Sequence, residues 1–333
     1  MPTKVRRATA QDVAAAAGVS KTTVSYVLNN VPHQTIPEAT RRKVLDAVEA
    51  LGYAPSSAAR ALRTGRDNTV LLLLPDWPIS GPVSAVIEGL LDELDKHGLA
   101  LKTRRDGRKD SFSSDWLQVA PQAVVALHEL DADDERAMRA SGIFVAHALL
   151  TGRAASGHNV VFPQELVGAM QVQHLAAGGR HRTAFIAPRD PRLANFAELR
   201  IDGARAAASD LGLPEPLVEH IDPTRDEAVT VLEQWAGLTD PVTGIAAYND
   251  HFAAAVLAAA RDLQIPVPGR LAVIGVDNDP LSEFTAPPLT TIDQHTELIA
   301  ANLATLIVDG IAGAPPQKPA HTDAVSLIVR ESA

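Results

Sequence analysis

The chain contains no cysteine. That excludes disulfides and thiolate metal sites, and it suits a reducing cytosol. No run of large apolar residues exceeds VLLLL at 70–74, far below the roughly 20 residues of a membrane-spanning helix. That run reads as a buried strand, and no membrane partner is expected. Lys4, Arg6 and Arg7 are followed by no apolar segment, so no export signal is expected either. Common enzyme motifs are missing as well: there is no Gly-x-Gly-x-x-Gly after the first strand, no Gly-x-Ser-x-Gly, no phosphate loop and no HExxH. The eleven histidines are scattered, and His128, His147, His158 and His174 show no metal-ligand spacing. Neither an enzyme nor a cofactor is expected. Tandem repeats and low-complexity tracts are also absent.

What is present suffices for a folded protein. At 333 residues and 46% hydrophobic content, two or three domains with sizeable cores are expected. Net charge is −10, but it is unevenly spread. Residues 1–66 hold ten Lys and Arg against Asp12, Glu38, Asp46 and Glu49, giving +6. The remainder carries 20 basic and 36 acidic residues, giving −16. A basic head on an acidic body points to a polyanion that meets the head alone.

The head reads as three helices. Thr9 and Asp12 have capping-box spacing and open the first, with Val13 and Ala17 inward, and Gly18 ends it. Ser20 caps a second helix through about residue 29, with Val24 and Leu28 inward. A third spans about 38–51, with Val44, Leu45 and Val48 inward, and stops at Gly52. Residues 56–63 form an alanine-rich linker of weak helical bias. Beyond 70, strands at 70–74, 99–103, 123–127, 143–146, 183–187, 244–248, 271–275 and 326–329 alternate with helices such as 83–97, 166–177, 200–211, 226–237 and 250–264. Such alternation implies doubly wound parallel sheets, and its length implies two of them.

Residues 14–29 fit a helix-turn-helix. Gly18 supplies the left-handed turn, Val19 fills the core, and Val24 and Leu28 use up the inner side of the second helix. Lys21, Thr22, Ser25, Tyr26 and Asn29 are left facing outward. Short donors and acceptors of this kind read base edges or grip phosphates in a major groove. A polar, solvent-facing helix is the alternative; the N-terminal position, the local charge and the linker favour DNA.

Several segments go beyond pattern. TAQDVAAAAGVSKTTVSYVLNN, TRRKVLDAVEALGYAPSSAARALRTG, GGRHRTAFIA, YNDHFAAAVLAAARDLQIPVPGRLAVIGVDN, PPLTTIDQ and LIVRES together resemble the LacI/GalR family of bacterial transcriptional regulators, in the family's order. The resemblance implies an N-terminal DNA-binding domain at 1–54, a hinge at 55–66 and an effector-binding, dimerising core at 67–333. That core would resemble periplasmic sugar-binding proteins. One subdomain would take about 67–161 and 293–322, the other about 162–292 and 323–333, with a ligand between them. By the same resemblance, Lys21 and Thr22 match base-reading positions, and Ser20, Thr23, Ser25 and Asn29 match phosphate-holding ones. Leu62 matches a residue that wedges into the minor groove, and Ala59 one that lets two hinges approach; a linker leucine packing on the core is the other reading of Leu62. Arg200 matches an arginine that binds ligand at the cleft mouth. Asn249 and Asp277 follow strands, where open α/β sheets bind ligands, though both could serve only as turn or cap residues. Gln294 is a further candidate. Asp76 and Trp77 could line the opposite side of the cleft, or Trp77 could be core packing.

Five places depart from the family pattern. Tyr26 stands where arginine is usual, which removes a bidentate guanine contact. The loop at 30–39 is about two residues longer than usual, a tolerated surface change. Phe162-Pro163 replaces an Asp-Asn type turn and Pro223 an aromatic, and the 105–121 region is shorter. The last three changes are expected near the cleft and argue either for a ligand other than an ordinary sugar or for a reshaped pocket. The sequence therefore reads as a cytoplasmic homodimer that binds a pseudo-palindromic DNA operator and answers to a small molecule, a sugar or a derivative. A repressor is the first reading, and an activator or dual regulator is left open.

Overall fold

The computed structural model describes residues 8–28, 36–53, 67–79, 81–105, 116, 119–150, 158–314 and 325–333. The chain separates into two compact units, 1–68 and 69–333. Among the described residues, no helix is long and apolar enough to cross a membrane.

The first unit holds α1 (Ala10–Ala17), α2 (Lys21–Leu28) and α3 (Glu38–Ala50). The capping box forms: the Thr9 amide donates to Asp12 Oδ2 at 2.8 Å, and the Asp12 amide to Thr9 Oγ1 at 3.3 Å. Gly18 takes φ +65°, a conformation that costs a side-chain-bearing residue energy, and so turns the chain sharply into α2. Val13, Ala14, Val24, Val27, Val44 and Ala47 make the core. Of the expected core positions, Ala17, Val19, Leu28 and Val48 pack at the edge of this core and Leu45 lies outside it. Leu28 is only half-buried, because Val27 takes the central place beside Val24. Leu45 is 47% exposed; at about 100° per residue, a helix that turns Val44 and Ala47 inward carries Leu45 to the side.

The second unit contains two parallel sheets. The first runs β2-β1-β3-β4-β5, from β1 (Thr69–Leu74), β2 (Ala100–Arg105), β3 (Ala123–Ala126), β4 (Phe144–Leu149) and β5 (Asn159–Val161). Every residue of β1 is buried, as a central strand covered on both faces requires. The edge strand β2 instead carries Lys102, Arg104 and Arg105, charges that discourage further pairing. Helices α4 (Gly81–Asp95) and α5 (Ala132–Ala140) belong to this lobe.

The second sheet runs β7-β6-β8-β9, from β6 (Thr183–Pro188), β7 (Leu217–Ile221), β8 (Gly244–Ala247) and β9 (Ala272–Ile274). Its helices are α6 (Gln164–Ala177), α7 (Ala194–Asp210), α8 (Arg225–Ala236) and α9 (Asp250–Asp262). α6 and α7 cross without a gap. A Cβ on Gly168 would overlap the Arg200 carbonyl, and one on Gly203 would overlap the Glu165 carbonyl.

The chain passes between the lobes after β5 and again after β10 (Thr291–Asp293), whose Ile292 belongs to the second core. Helix α10 (Thr296–Ile311) then packs in the first lobe through Ile299, Leu303 and Ile307. β11 (Ser326–Ile328) returns to pair antiparallel with β10. The intervening residues 315–324 lie outside the described residues. The expected strands and helices are present with bounds shifted by a few residues. The short strands β5, β7 and β10 and the helices α5 and α10 were not expected. α7 begins at Ala194, six residues before the expected start.

Candidate functional site

In the first unit, Ser20 accepts the Thr23 amide at 3.0 Å and lies 2.8 Å from the Thr23 hydroxyl. The start of α2 is thereby fixed. Val24 and Val27 hold the inner side. Lys21 and Thr22 are exposed, and Ser25 and Tyr26 are half-buried. These four fall within an arc of about 140° away from the core. The expected outward face therefore forms over its described part. Asn29, Ala59 and Leu62 lie outside the described residues.

In the second unit, a cavity of about 350 Å³ opens between the lobes. Trp77, Arg200, Asn249, Asp277 and Gln294 line it together, as expected. Asp76 does not. It sits beside the cavity, two-thirds exposed, paired to Arg105 at 3.3 Å, and Arg105 also holds the Trp77 carbonyl at 3.2 Å. The turn after β1 thus aims Trp77 inward and Asp76 outward.

Arg200 is buried. Because α7 starts early, it lies in the second turn and is 3% exposed. Its Nε donates to Gln164 Oε1 at 2.8 Å, and its Nη1 donates to the Tyr248 carbonyl. The guanidinium also lies over the Tyr248 ring, 4.7 Å from the centroid. Gln164 Nε2 donates to Gln294 Oε1 at 3.0 Å, and Gln294 Nε2 to Asp277 Oδ1 at 2.7 Å. A relay therefore runs from guanidinium to carboxylate through two amides. Gln164 stands where the chain first enters the second lobe and Gln294 where it leaves. The close α6–α7 crossing brings Gln164 to Arg200.

Asp277 is held at φ +102°, a strained value for a residue with a side chain, and Asn278 follows at +48°. Burial raises the Asp277 carboxyl above the usual range, while Arg200 and the Gln294 and Asn249 hydrogen bonds pull it back. Burial also pushes the Tyr248 phenol up to about 12, so it stays protonated. Asn249 serves twice: its Oδ1 accepts the Phe252 amide at 3.3 Å and caps α9, while the residue also faces the cavity. Trp77 likewise packs and lines, meeting Phe196 of the other lobe edge-on at 4.6 Å.

Sequence reasoning missed Gln164, Phe196, Tyr248, Arg189 and Asp190. Arg189 and Asp190 follow β6 directly, so the strand-end argument applied to Asn249 and Asp277 would have found them. Arg189 bridges Asp222 at 3.1 Å and Glu227 at 2.8 Å, and Arg192 holds Asp190 at 2.6 Å. Their hydrogen bonds keep the Glu227 and Asp190 carboxyls below the usual range. Phe162 and Pro223 line the cavity too. Among the described residues, no cluster of three or more metal-ligating side chains exists.

Comparison with known proteins matches both units. Residues 9–56 fit the family described as bacterial regulatory proteins, lacI family, and residues 172–333 fit a periplasmic binding protein-like domain. An HTH-type transcriptional regulator, CelR of Thermobifida fusca, is 30% identical, over 98% of both chains. A solved complex of the transcriptional regulator CelR with cellobiose superimposes with TM-score 0.65 at 26% identity, covering 98% of this chain and 100% of that one. The lac repressor dimer bound to operator and the anti-inducer ONPF superimposes with TM-score 0.80 at 22% identity, covering 98% and 99%, and so shares the fold.

Proposed function

The chain belongs to the lacI family of bacterial regulatory proteins, and from that premise we propose how it acts as a DNA-binding transcriptional regulator under small-molecule control. Residues 1–54 are the DNA-binding head, 55–66 the hinge and 67–333 the core. Within the core, 67–161 with 293–322 form one subdomain and 162–292 with 323–333 the other. Two copies read a pseudo-palindromic operator in the bacterial cytoplasm, one head per half-site. Lys21, Thr22 and Tyr26 meet base edges, while Ser20, Thr23, Ser25 and Asn29 hold phosphates. Leu62 wedges into the minor groove, and Ala59 lets the paired hinges approach. The regulator represses.

The relay carries the reading. Its glutamines sit where the chain crosses between lobes, so a molecule engaging Arg200, Asn249, Asp277 or Gln294 acts on the connections that set lobe closure. Closure then alters the hinges, with a coupling of about 1–3 kcal/mol. The likeness to a regulator solved with cellobiose supports a sugar or sugar-like effector.

Footprinting of the full chain on genomic fragments, with and without small molecules, tests this. The expected result is two-fold symmetric protection that a ligand changes. Arg200→Lys keeps the footprint and loses the response. No footprint on any fragment at low ionic strength would end the proposal.

A further inference from the structure

The cavity has two unlike walls. The first lobe contributes Trp77, Val83, Val86, Ile87 and Leu127 among other apolar residues, and Phe162, at the crossover, packs against that lobe's core. Among the described residues, that lobe adds as polar side-chain groups the Thr296 hydroxyl, the Trp77 indole nitrogen and the Gln294 amide, whose oxygen and nitrogen are already engaged by Gln164 and Asp277. The facing wall carries the charged groups, Arg189, Asp190, Arg192, Arg200 and Asp277, together with Asn249, set among Leu193, Phe196, Ile221 and Phe252. Its charges balance: three arginines stand against Asp190, Asp222 and Asp277. Two of those arginines are already held, Arg189 by Asp222 and Glu227 and Arg192 by Asp190. The third, Arg200, is 3% exposed and spends its Nε and Nη1 on Gln164 and the Tyr248 carbonyl, so a charged ligand would meet no exposed, unpaired arginine among these three. The chain has only three Trp, three Tyr and seven Phe, yet Trp77, Phe162, Phe196, Tyr248 and Phe252 all face this one cavity.

A compact polyol fits such a cavity badly. Hydroxyls pressed on the first lobe's wall would give up water and gain no hydrogen bond. A flat apolar ring would instead bury its faces there. We propose that the effector is an uncharged amphiphile. Its hydroxyls at one end meet Arg200, Asn249 and Asp277, and an aryl body lies along Trp77, Val83 and Phe196. The inference rests on the reading of this cleft as the effector site and narrows the ligand class.

Calorimetry on the full chain tests it with matched probes. D-glucose and D-galactose are compared with their phenyl β-glycosides, and cellobiose serves as a two-ring probe without an apolar body. At least one phenyl glycoside should bind about 10- to 100-fold more tightly than its parent sugar and than cellobiose, from the burial of one aromatic ring. Val83→Asn should remove most of that preference, and Val83→Thr, which keeps the side-chain volume, should reduce it; thermal melts check that both variants fold. The proposal is overturned if a free sugar or cellobiose binds as tightly as the phenyl glycosides, or if neither phenyl glycoside binds at millimolar concentration. The cleft reading then survives if the sugar that does bind is lost in Arg200→Lys. Phenyl glycosides that bind equally to wild type, Val83→Asn and Arg200→Lys would occupy another place, and the cleft reading would fall with the proposal.

Discussion

Asp250 opens α9 beneath the cavity, 4% exposed. Its carboxylate accepts the Thr291 hydroxyl at 2.6 Å and the Asp279 amide at 2.8 Å. Burial outweighs both bonds and raises the group to about 7. The folded state thus holds a proton that the unfolded chain releases near pH 4. Stability from this group is present in full below the unfolded value and is lost as pH rises towards 7. Urea unfolding should show wild type losing roughly 2–3 kcal/mol between about pH 5 and 8 relative to Asp250→Asn, whose amide mimics the protonated acid. Asp190 and Glu227, held low, titrate below that window. An equal pH slope in both proteins would contradict this. Residues of this kind are unevenly legible in sequence. Asn249 and Asp277 could be found from their places after strands. Gln164 could not, since its importance comes from a neighbour 36 positions away. Leu45 misled because its hydrophobicity says nothing of its angle on the helix.

At the scale of elements, the α6–α7 crossing decides where Arg200 sits. Gly168→Ala or Gly203→Ala sets a methyl against backbone carbonyl, where no side chain can move aside. Each substitution should cost about 1–3 kcal/mol or more in urea unfolding. The separated helices should also stretch the Arg200–Gln164 bond, so effector affinity should fall while operator binding remains. Unchanged effector binding would show that the crossing does not position Arg200. Long elements were readable because β1 is an unbroken apolar run and α9 is long enough to show a helical period. β5 and β10 have three residues each and leave no period to read. α7 was misplaced because residues 194–199 hold no strong stop or start signal, and the 3-10 turn at Pro191–Leu193 leads straight into it.

Across the whole molecule, opposite charge is segregated by segment. Binding of DNA through a head of +6 should weaken about a hundredfold or more between about 50 and 200 mM salt. Effector affinity, in a cleft of balanced charge, should change less than about twofold. Titration of both ligands by fluorescence anisotropy and calorimetry over that range checks the contrast; parallel slopes would refute it. The two-unit organisation was visible in sequence because charge and periodicity both change near residue 67. The interior of the cleft was not, because its two walls come from segments far apart in the chain.

The amide relay has a sense of direction. Each glutamine offers its oxygen towards Arg200 and its nitrogen towards Asp277, so neither can rotate without breaking two links at once. A guest that hands a hydrogen to Asp277 keeps that wiring. One that presents only lone pairs there sets like against like. Of two molecules of the same outline, one ending in a free hydroxyl and one in a methyl ether, only the first should therefore leave the relay intact.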